Sequence, residues 1–295
     1  MILNISGRTD IIAFYTPWLI NRLKAGYVDV RNPFYPKLVS RIYFKNVELM
    51  LFCTKNPGPI IKYLPKLKEK VVVEITLTPY KKEIEPHAPD KKEIIKEIKE
   101  ISKILGKEQV YVRYDPIFIS EYYTIEYHKK AFKKLCQELE GYIDKIIISF
   151  IDEYKNVKNN AKVLNQKEIT KEVLKEIGLS FSSIVKKHNI TVQTCSEEHN
   201  LKEYGFKIDD CLSKELAKKL TGKNYPKWNS RNNKYCHCVK MVDIGEYNSC
   251  YHKCKYCYAN FDETKIIENM KRHNPNSSLL IGELKKEDII KERTK

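Results

Sequence analysis

The sequence predicts an α/β fold, specifically a (β/α) barrel of the TIM type that is either complete or open on one side. Two observations support this prediction. Short apolar or β-branched segments alternate with amphipathic segments along most of the chain, and the apolar segments are nearly continuous, as in strands buried on both faces of a parallel sheet. With 295 residues, of which 42% are hydrophobic and 31% charged, the chain is long enough to bury a substantial core.

The predicted elements follow one another without a linker or a repeat. Barrel strands are predicted at residues 2–5, 49–53, 71–77, 110–114, 145–150, 190–194 and 239–244. Helices are predicted at residues 17–24, 59–68, 91–105, 125–139, 168–188 and 264–272. Residues 26–44 alternate like two strands around a proline-containing turn, which predicts a hairpin. We therefore expect a barrel body over residues 1–235 with this hairpin inserted, a cysteine-rich βα unit over 236–272 that closes the barrel, and a charged peripheral tail over 273–295.

The composition limits the classes of protein to consider. No apolar run approaches the length of a bilayer span, and the first residues are too polar for a signal peptide. We therefore expect a soluble, cytoplasmic protein. The net charge is +16, but only eight basic residues are Arg and 46 are Lys. Because Lys side chains are common on the solvent-exposed faces of helices, this charge alone does not establish a nucleic-acid partner.

Polar residues follow the ends of six predicted strands. Asp and Ser often cap helices, and Arg–Asp pairs are often structural. Polar residues nevertheless recur at the same end of six successive strands, and this favours a shared polar cavity. The active sites of barrel enzymes lie at the carboxyl ends of the strands. The residues that we expect to contact a substrate there are Lys55, Arg113, Asp115, Ser149 and Glu197.

The strongest local signal is a run of three cysteines near the end of the chain. Cys250, Cys254 and Cys257 are separated by three and by two residues. Iron–sulfur clusters take Cys thiolates from short runs of this kind, and three thiolates leave one coordination position open, as in catalytic sites. A structural zinc site completed by His252 or another Cys is the alternative. Cys53 and Cys136 stand alone and are interpreted as core residues.

This run, with Tyr256 before its third cysteine, resembles the cluster motif of radical S-adenosylmethionine enzymes. The wider pattern resembles the bacterial domain-of-unknown-function family 1848 over roughly residues 1–261. The matching stretches are Ser-Gly-Arg-Thr-Asp at 6–10, Val-Arg-Asn-Pro-Phe at 30–34, Thr-Lys-Asn-Pro at 54–57, Leu-Thr-Pro-Tyr at 77–80, Arg-Tyr-Asp-Pro at 113–116, Ile-Ser-Phe at 148–150, Thr-Cys-Ser-Glu at 194–197, Cys-His-Cys at 236–238, and Asp-Ile-Gly to Tyr-Ala-Asn over 243–260.

The resemblance implies a [4Fe-4S] cluster held by the three cysteines and S-adenosylmethionine bound at its fourth iron. Radical enzymes usually carry this loop after their first strand, whereas here it follows the last. The resemblance therefore implies a circularly permuted barrel in which residues 6–10 lie beside the cluster loop. In that arrangement Thr9 and Asp10 contact the ammonium group of the cofactor, Arg8 or Lys55 its carboxylate, and Tyr256 its adenine.

Four further cysteines, Cys195, Cys211, Cys236 and Cys238, are predicted to form a second metal site. An auxiliary iron–sulfur cluster is the first interpretation, zinc is the second, and free thiols are the third. His237 and His252 are interpreted as bystanders.

The leading functional hypothesis is a radical S-adenosylmethionine enzyme that generates a 5′-deoxyadenosyl radical and takes its electron from a donor such as flavodoxin or ferredoxin. Its motif is similar to that of the spore photoproduct lyases, which makes a nucleobase or nucleic acid a candidate substrate by analogy. The competing hypothesis is a zinc-stabilised nucleic-acid-binding protein without catalysis, which predicts a colourless protein and steeply salt-dependent binding.

Overall fold

The computed structural model describes residues 1–198, 200–207, 210–227, 235–236 and 238–294. The strands are β1 (Ile2–Asn4), β2 (Tyr27–Arg31), β3 (Leu38–Tyr43), β4 (Leu49–Thr54), β5 (Val71–Thr76), β6 (Val110–Ile117), β7 (Lys145–Phe150), β8 (Thr191–Thr194), β9 (Val242–Asp243) and β10 (Ile289–Glu292). The helices are α1 (Ile11–Phe14), α2 (Thr16–Ala25), α3 (Leu64–Leu67), α4 (Lys91–Leu105), α5 (Ile125–Leu139), α6 (Lys155–Asn159), α7 (Ala161–Leu164), α8 (Lys171–Lys186), α9 (Lys214–Thr221) and α10 (Glu263–Lys271).

The centre of the molecule is a seven-stranded parallel sheet in the order β8-β7-β6-β5-β4-β1-β9. Apart from the β2–β3 hairpin, neighbouring strands follow chain order from β1 to β8. The last strand of the sheet, β9, pairs with the first, with Leu3 opposite Val242. The predicted α/β class with a parallel sheet is confirmed. Within the described residues the outer strands β8 and β9 do not pair with each other, so a closed barrel is not formed.

The two faces of the sheet pack differently because successive side chains of a strand point to opposite sides. On one face, Val73 and Val112 belong to a large apolar core with Ile98 of α4, Phe132 of α5 and Phe181 of α8. On the other face, a smaller apolar cluster includes Leu51, Val72, Tyr111, Ile147 and Met241. The long helices thus cover one face. We call the opposite one the inner face, and it is apolar near the amino ends of its strands.

Local sequence signals place most of the helix ends. The helix α4 begins after Asp90, whose side chain accepts a hydrogen bond from Lys92 N, and it ends at Gly106. By contrast, the predicted helix at residues 59–68 is a 3₁₀ segment (Gly58–Tyr63) followed by the single turn α3. Pro59 and Pro65 explain the difference, because proline lacks the N–H that a continuous helical ladder requires.

No helix in the described ranges is long and apolar enough to cross a membrane.

The strand predicted at residues 239–244 is also shorter than expected. Only the two residues of β9 pair with β1. Upstream, Val239 bridges Lys227 and the backbone N–H of Lys240 bonds to Pro226 O at 2.8 Å. Because these backbone groups are satisfied by another segment, they do not extend the parallel sheet.

A second sheet is formed by the segment predicted as a hairpin. The strands β2 and β3 are antiparallel, with Val30 opposite Ser40, and the C-terminal strand β10 joins β3 in parallel. The chain before β10 also packs inwards, since Leu279 is buried and Trp18 Nε1 donates to Ser277 O at 2.9 Å. This part of the tail therefore contributes to the packing around α2.

Candidate functional site

The three-cysteine loop lies at the carboxyl end of the sheet. It follows β9, and β9 pairs with β1, so the loop is brought beside residues 6–10, which follow β1. Two side-chain contacts join the two segments: Tyr258 donates from its hydroxyl to Gly7 O, and His252 Nε2 lies 3.0 Å from Asp10 Oδ2. Gly7 is required at this approach, because a Cβ there would overlap the carboxylate of Asp243. The predicted neighbourhood of the two loops is therefore present.

The three thiols of the loop lie near enough to one another to interact electrostatically. Cys250 and Cys254 are buried and Cys257 is partly buried. Burial raises the pKa of Cys254 to about 12, while the positive charge of Lys55 opposes the shift. Burial also raises the pKa of Cys250, and the charges of Asp10 and of the other two thiols add to that rise. Cys254 is buried and packs in an apolar cluster with Tyr80 and Phe118.

Asparagine side chains fix the backbone of the loop. Asn260 spans the loop, accepting from Cys250 N at 3.4 Å and donating to Cys250 O at 3.2 Å. Asn156 donates to Cys257 O at 3.1 Å and Asn160 donates to Lys255 O at 3.2 Å. Sequence reasoning missed these residues. The only available signal was the spacing of Asn156 and Asn160, which places both on one side of a helical turn.

Lys55 belongs to a buried charge network that reaches the cysteine loop. Its Nζ lies 2.7 Å from Glu85 Oε1, and the hydroxyls of Tyr256 and Thr78 donate to the same carboxylate. Lys91 Nζ contacts the other oxygen at 3.3 Å. Burial alone would raise the pKa of Glu85, but the two lysines and the hydrogen bonds outweigh it and lower the pKa to about 2. Glu85 is thus a central residue that the sequence did not reveal.

Residues 8 to 10 carry the predicted contacts for the cofactor. Asp10 caps α1 by accepting from Ala13 N at 2.9 Å, and its second oxygen accepts from Lys55 N at 2.8 Å as well as contacting His252. Arg8 Nη2 donates to Asp243 O at 3.3 Å. Thr9 Oγ1 is buried and forms no hydrogen bond with any residue that the structure describes. This orphaned hydroxyl is an observation that points to a ligand beside the loop.

Two histidines were interpreted as bystanders. His252 lies between Asp10 and the backbone oxygen of His87, which its Nδ1 approaches at 3.2 Å. It thereby ties the cysteine loop to the loop after β1. His237 lies outside the described residues.

Arg113 is the centre of the remaining predicted substrate residues. Its Nε donates to Asp115 Oδ2 at 2.9 Å, and its Nη1 lies 3.2 Å from Glu74 Oε2. Ser149 donates to the other oxygen of Asp115. Glu197 accepts from Phe150 N at 2.8 Å. The structure therefore joins three of the five predicted residues directly.

The other two residues lie near this group without a direct hydrogen bond to Arg113. Burial raises the pKa of Glu197 to about 7, and the negative charges of Asp152 and Asp115 add to the shift. The pKa of Lys55 is raised because the charges of Glu85, Cys254 and Asp115 outweigh its burial. The electrostatic interaction between Lys55 and Asp115 connects the charge network beside the cysteine loop with the group around Arg113.

The second set of cysteines lies next to Arg113. Cys195 follows β8, and its Sγ is 3.0 Å from that of Cys211. The thiols of Cys211 and Cys238 also interact, as do those of Cys238 and Cys236. Within the described ranges, no three His, Cys, Asp or Glu side chains are arranged so as to hold a metal ion as they stand.

Comparison with known proteins gives one family match. The family model described as a domain of unknown function, DUF1848, matches residues 2–259. No curated protein and no solved structure is significantly similar to the chain. The matched region contains both cysteine sets, the loop after β1 and the polar inner face. Since the match covers most of the 295 residues, the chain belongs to the DUF1848 family.

Proposed function

We propose that this protein is a radical S-adenosylmethionine enzyme whose iron–sulfur cluster is held by Cys250, Cys254 and Cys257. The observation that carries the proposal is the grouping of these three buried or partly buried thiols, which interact electrostatically, next to residues 6–10. The parallel pairing of β9 with β1 supports a permuted arrangement of the barrel type, in which the last βα unit takes the place of a first one.

Three thiolates in one short run suit a multinuclear cluster, because each can bind a different iron. The three thiols of the loop affect one another electrostatically, so they lie near one another. Three thiolates would leave one iron open to a further ligand.

Residues around the three thiols of the loop fit S-adenosylmethionine. Thr9 offers an uncommitted hydroxyl, Arg8 a guanidinium, and Tyr256 an aromatic ring whose position is fixed by Glu85. The two oxygens of Asp10 are already engaged with backbone and His252. Asp10 would therefore mainly position the loops, and one of its remaining lone pairs would accept from the cofactor ammonium.

Cys250, Cys254 and Cys257 would hold the cluster, which when bound and reduced would supply the electron for reductive cleavage of S-adenosylmethionine. The contribution of the protein is to bind, orient and exclude water. Cys254 and Tyr256 lie in an apolar cluster. Lys55 and Glu85 form a buried ion pair behind them.

The substrate would occupy the inner face between the two cysteine sets. Arg113, Asp115 and Ser149 form a hydrogen-bonded row, and Glu197 has a pKa near neutrality, which suits a group that exchanges a proton with a bound molecule. These groups fit a small polar substrate with both donors and acceptors, such as a nucleobase. The electron would come from a low-potential donor of the flavodoxin or ferredoxin type.

The test is the anaerobic isolation of the full chain, followed by incubation with S-adenosylmethionine and dithionite. We expect a brown protein that absorbs near about 400 nm, contains labile sulfide, and produces 5′-deoxyadenosine. Cys254→Ala should lose the colour and the product, whereas Cys136→Ala, which alters a buried cysteine on α5, should retain both. A colourless zinc protein that forms no 5′-deoxyadenosine and binds nucleic acid would instead support the non-catalytic alternative.

A further inference from the structure

Four of the six cysteines outside the loop lie near one another on the inner face of the sheet. Cys195 follows β8, Cys211 precedes α9, and Cys236 and Cys238 precede β9. We propose that these four thiols bind a single zinc ion as a tetrathiolate site, separate from the cluster of the loop. This inference does not rest on the proposed function.

The contacts between these thiols carry the proposal. The Sγ atoms of Cys195 and Cys211 are 3.0 Å apart. Cys211 interacts in turn with Cys238, and Cys238 with Cys236, so the four thiols form a continuous chain of neighbours. Ordinary buried cysteines occur singly, as Cys136 does on α5.

The close contact between Cys195 and Cys211 suits one shared ion better than an iron–sulfur cluster. Sulfurs around a tetrahedral zinc ion are about 3.8 Å apart, which follows from bonds of about 2.3 Å. Terminal thiolates of a cuboidal cluster bind different irons and are separated further. As they stand the thiols in the described ranges do not surround an ion. Binding would therefore widen the 3.0 Å separation of Cys195 and Cys211 slightly, to about 3.8 Å, and bring Cys236 and Cys238 around the same ion.

The surroundings suit a structural site that is closed to water. Cys211, Cys236 and Cys238 are buried within the apolar cluster of the inner face, together with Leu212 and Val239. This low-polarity shell favours a fully ligated ion, because any open position would be difficult to hydrate.

A charged donor also faces the thiols. Arg113 Nη1 donates towards Cys211 Sγ at 3.1 Å. A guanidinium in this position offsets part of the negative charge of a tetrathiolate site and orients one of its ligands, which is the usual role of groups around a metal centre.

Such a site would have a clear structural role. The outer strands β8 and β9 do not pair with each other in the described residues. Cys195 is attached to the end of β8, and Cys238 lies four residues before Val242 of β9. A zinc ion would therefore cross-link the segments next to β8 and β9, which hydrogen bonds between the two strands do not connect.

The test measures zinc and iron per chain in anaerobically purified full-length protein, for the wild type, Cys211→Ala, Cys254→Ala and the control Cys136→Ala. We expect close to one zinc in the wild type, lost in Cys211→Ala and kept in Cys254→Ala and Cys136→Ala. Iron should fall in Cys254→Ala only. Failure of the proposed function would appear as an absence of iron with zinc unchanged, so the two outcomes are distinguishable.

A second measurement covers the case in which Cys211→Ala does not fold. Wild-type protein loaded with Co²⁺ in place of zinc should show the intense visible bands of tetrahedral cobalt with thiolate charge transfer. Iron that falls in Cys211→Ala with no zinc in the wild type would overturn the inference in favour of an auxiliary iron–sulfur cluster. A wild-type protein with neither zinc nor a tetrahedral cobalt spectrum would overturn it as well.

Discussion

The buried carboxylate of Glu85 offers a quantitative test of the network behind the cysteine loop. In Glu85→Gln the ammonium group of Lys55 would remain buried without its 2.7 Å partner, and the hydroxyl of Tyr256 would face a weaker acceptor. Removing one partner of a buried ion pair typically costs about 3–5 kcal/mol, because the remaining charge is left uncompensated. We therefore expect the free energy of unfolding to fall by roughly that amount at pH 7.

The pKa of Glu85 gives an independent value. It falls from 4.5 to about 2 in the folded protein, which corresponds to about 3.5 kcal/mol of stability at roughly 1.4 kcal/mol per pH unit. Because the folded-state pKa is lowered, this contribution is present above about pH 4.5 and is lost as the pH falls towards 2. The difference between wild type and variant should therefore be constant above pH 5 and decrease below it.

The assay is urea-induced unfolding followed by circular dichroism between pH 7 and pH 4, carried out under identical anaerobic conditions for both proteins. The control is Glu126→Gln, which removes a carboxylate exposed on α5 and should leave the stability nearly unchanged. A loss below about 1 kcal/mol in Glu85→Gln, or a difference that does not change below pH 5, would refute the assignment of Glu85 as the ionised partner of Lys55.

Three further predictions concern the site. Glu197→Gln should gain stability relative to the wild type as the pH rises from about 4.5 to about 7, by up to about 3.5 kcal/mol, because a raised pKa means that ionising Glu197 opposes folding. Melting temperatures between pH 4 and 8.5 check this. A difference that stays constant between pH 4.5 and 7 would contradict it. Asn156→Ala should accelerate iron loss to a chelator, because the Cys257 carbonyl loses a hydrogen-bond donor. The control Asn159→Ala, which alters an exposed side chain, should not change the rate. Equal rates in the two variants would exclude a role of Asn156 in holding the cysteine loop. Thr9→Val should weaken S-adenosylmethionine binding about tenfold without loss of stability, as measured by calorimetry, and an unchanged affinity would remove the proposed contact.

The sequence was sufficient where structure depends on local signals. The bounds of α4 and α5 were predicted correctly because Asp90 and Thr124 cap their starts and apolar residues recur at helical spacing. The parallel strands were found because their runs are apolar throughout. The shortened β9 could not be predicted, since it depends on Lys240 bonding to a residue elsewhere in the fold.

The candidate site shows the same division. Residue type and position made Lys55, Arg113 and the cysteines candidate site residues, because charged groups and thiols at the ends of buried strands usually have a bonding partner. Glu85 was missed because its partner Tyr256 is 171 residues away in the chain. No spacing rule connects positions so far apart, and only the pairing of β9 with β1 and the packing of the loop bring them together.

The most direct test of the central claim is Mössbauer spectroscopy of ⁵⁷Fe-reconstituted protein with and without S-adenosylmethionine. If Cys250, Cys254 and Cys257 hold a [4Fe-4S] cluster with one iron lacking a protein ligand, the cofactor should change the isomer shift of about one quarter of the iron. A spectrum that the cofactor leaves unchanged, or a protein that takes up no iron and sulfide, would contradict it.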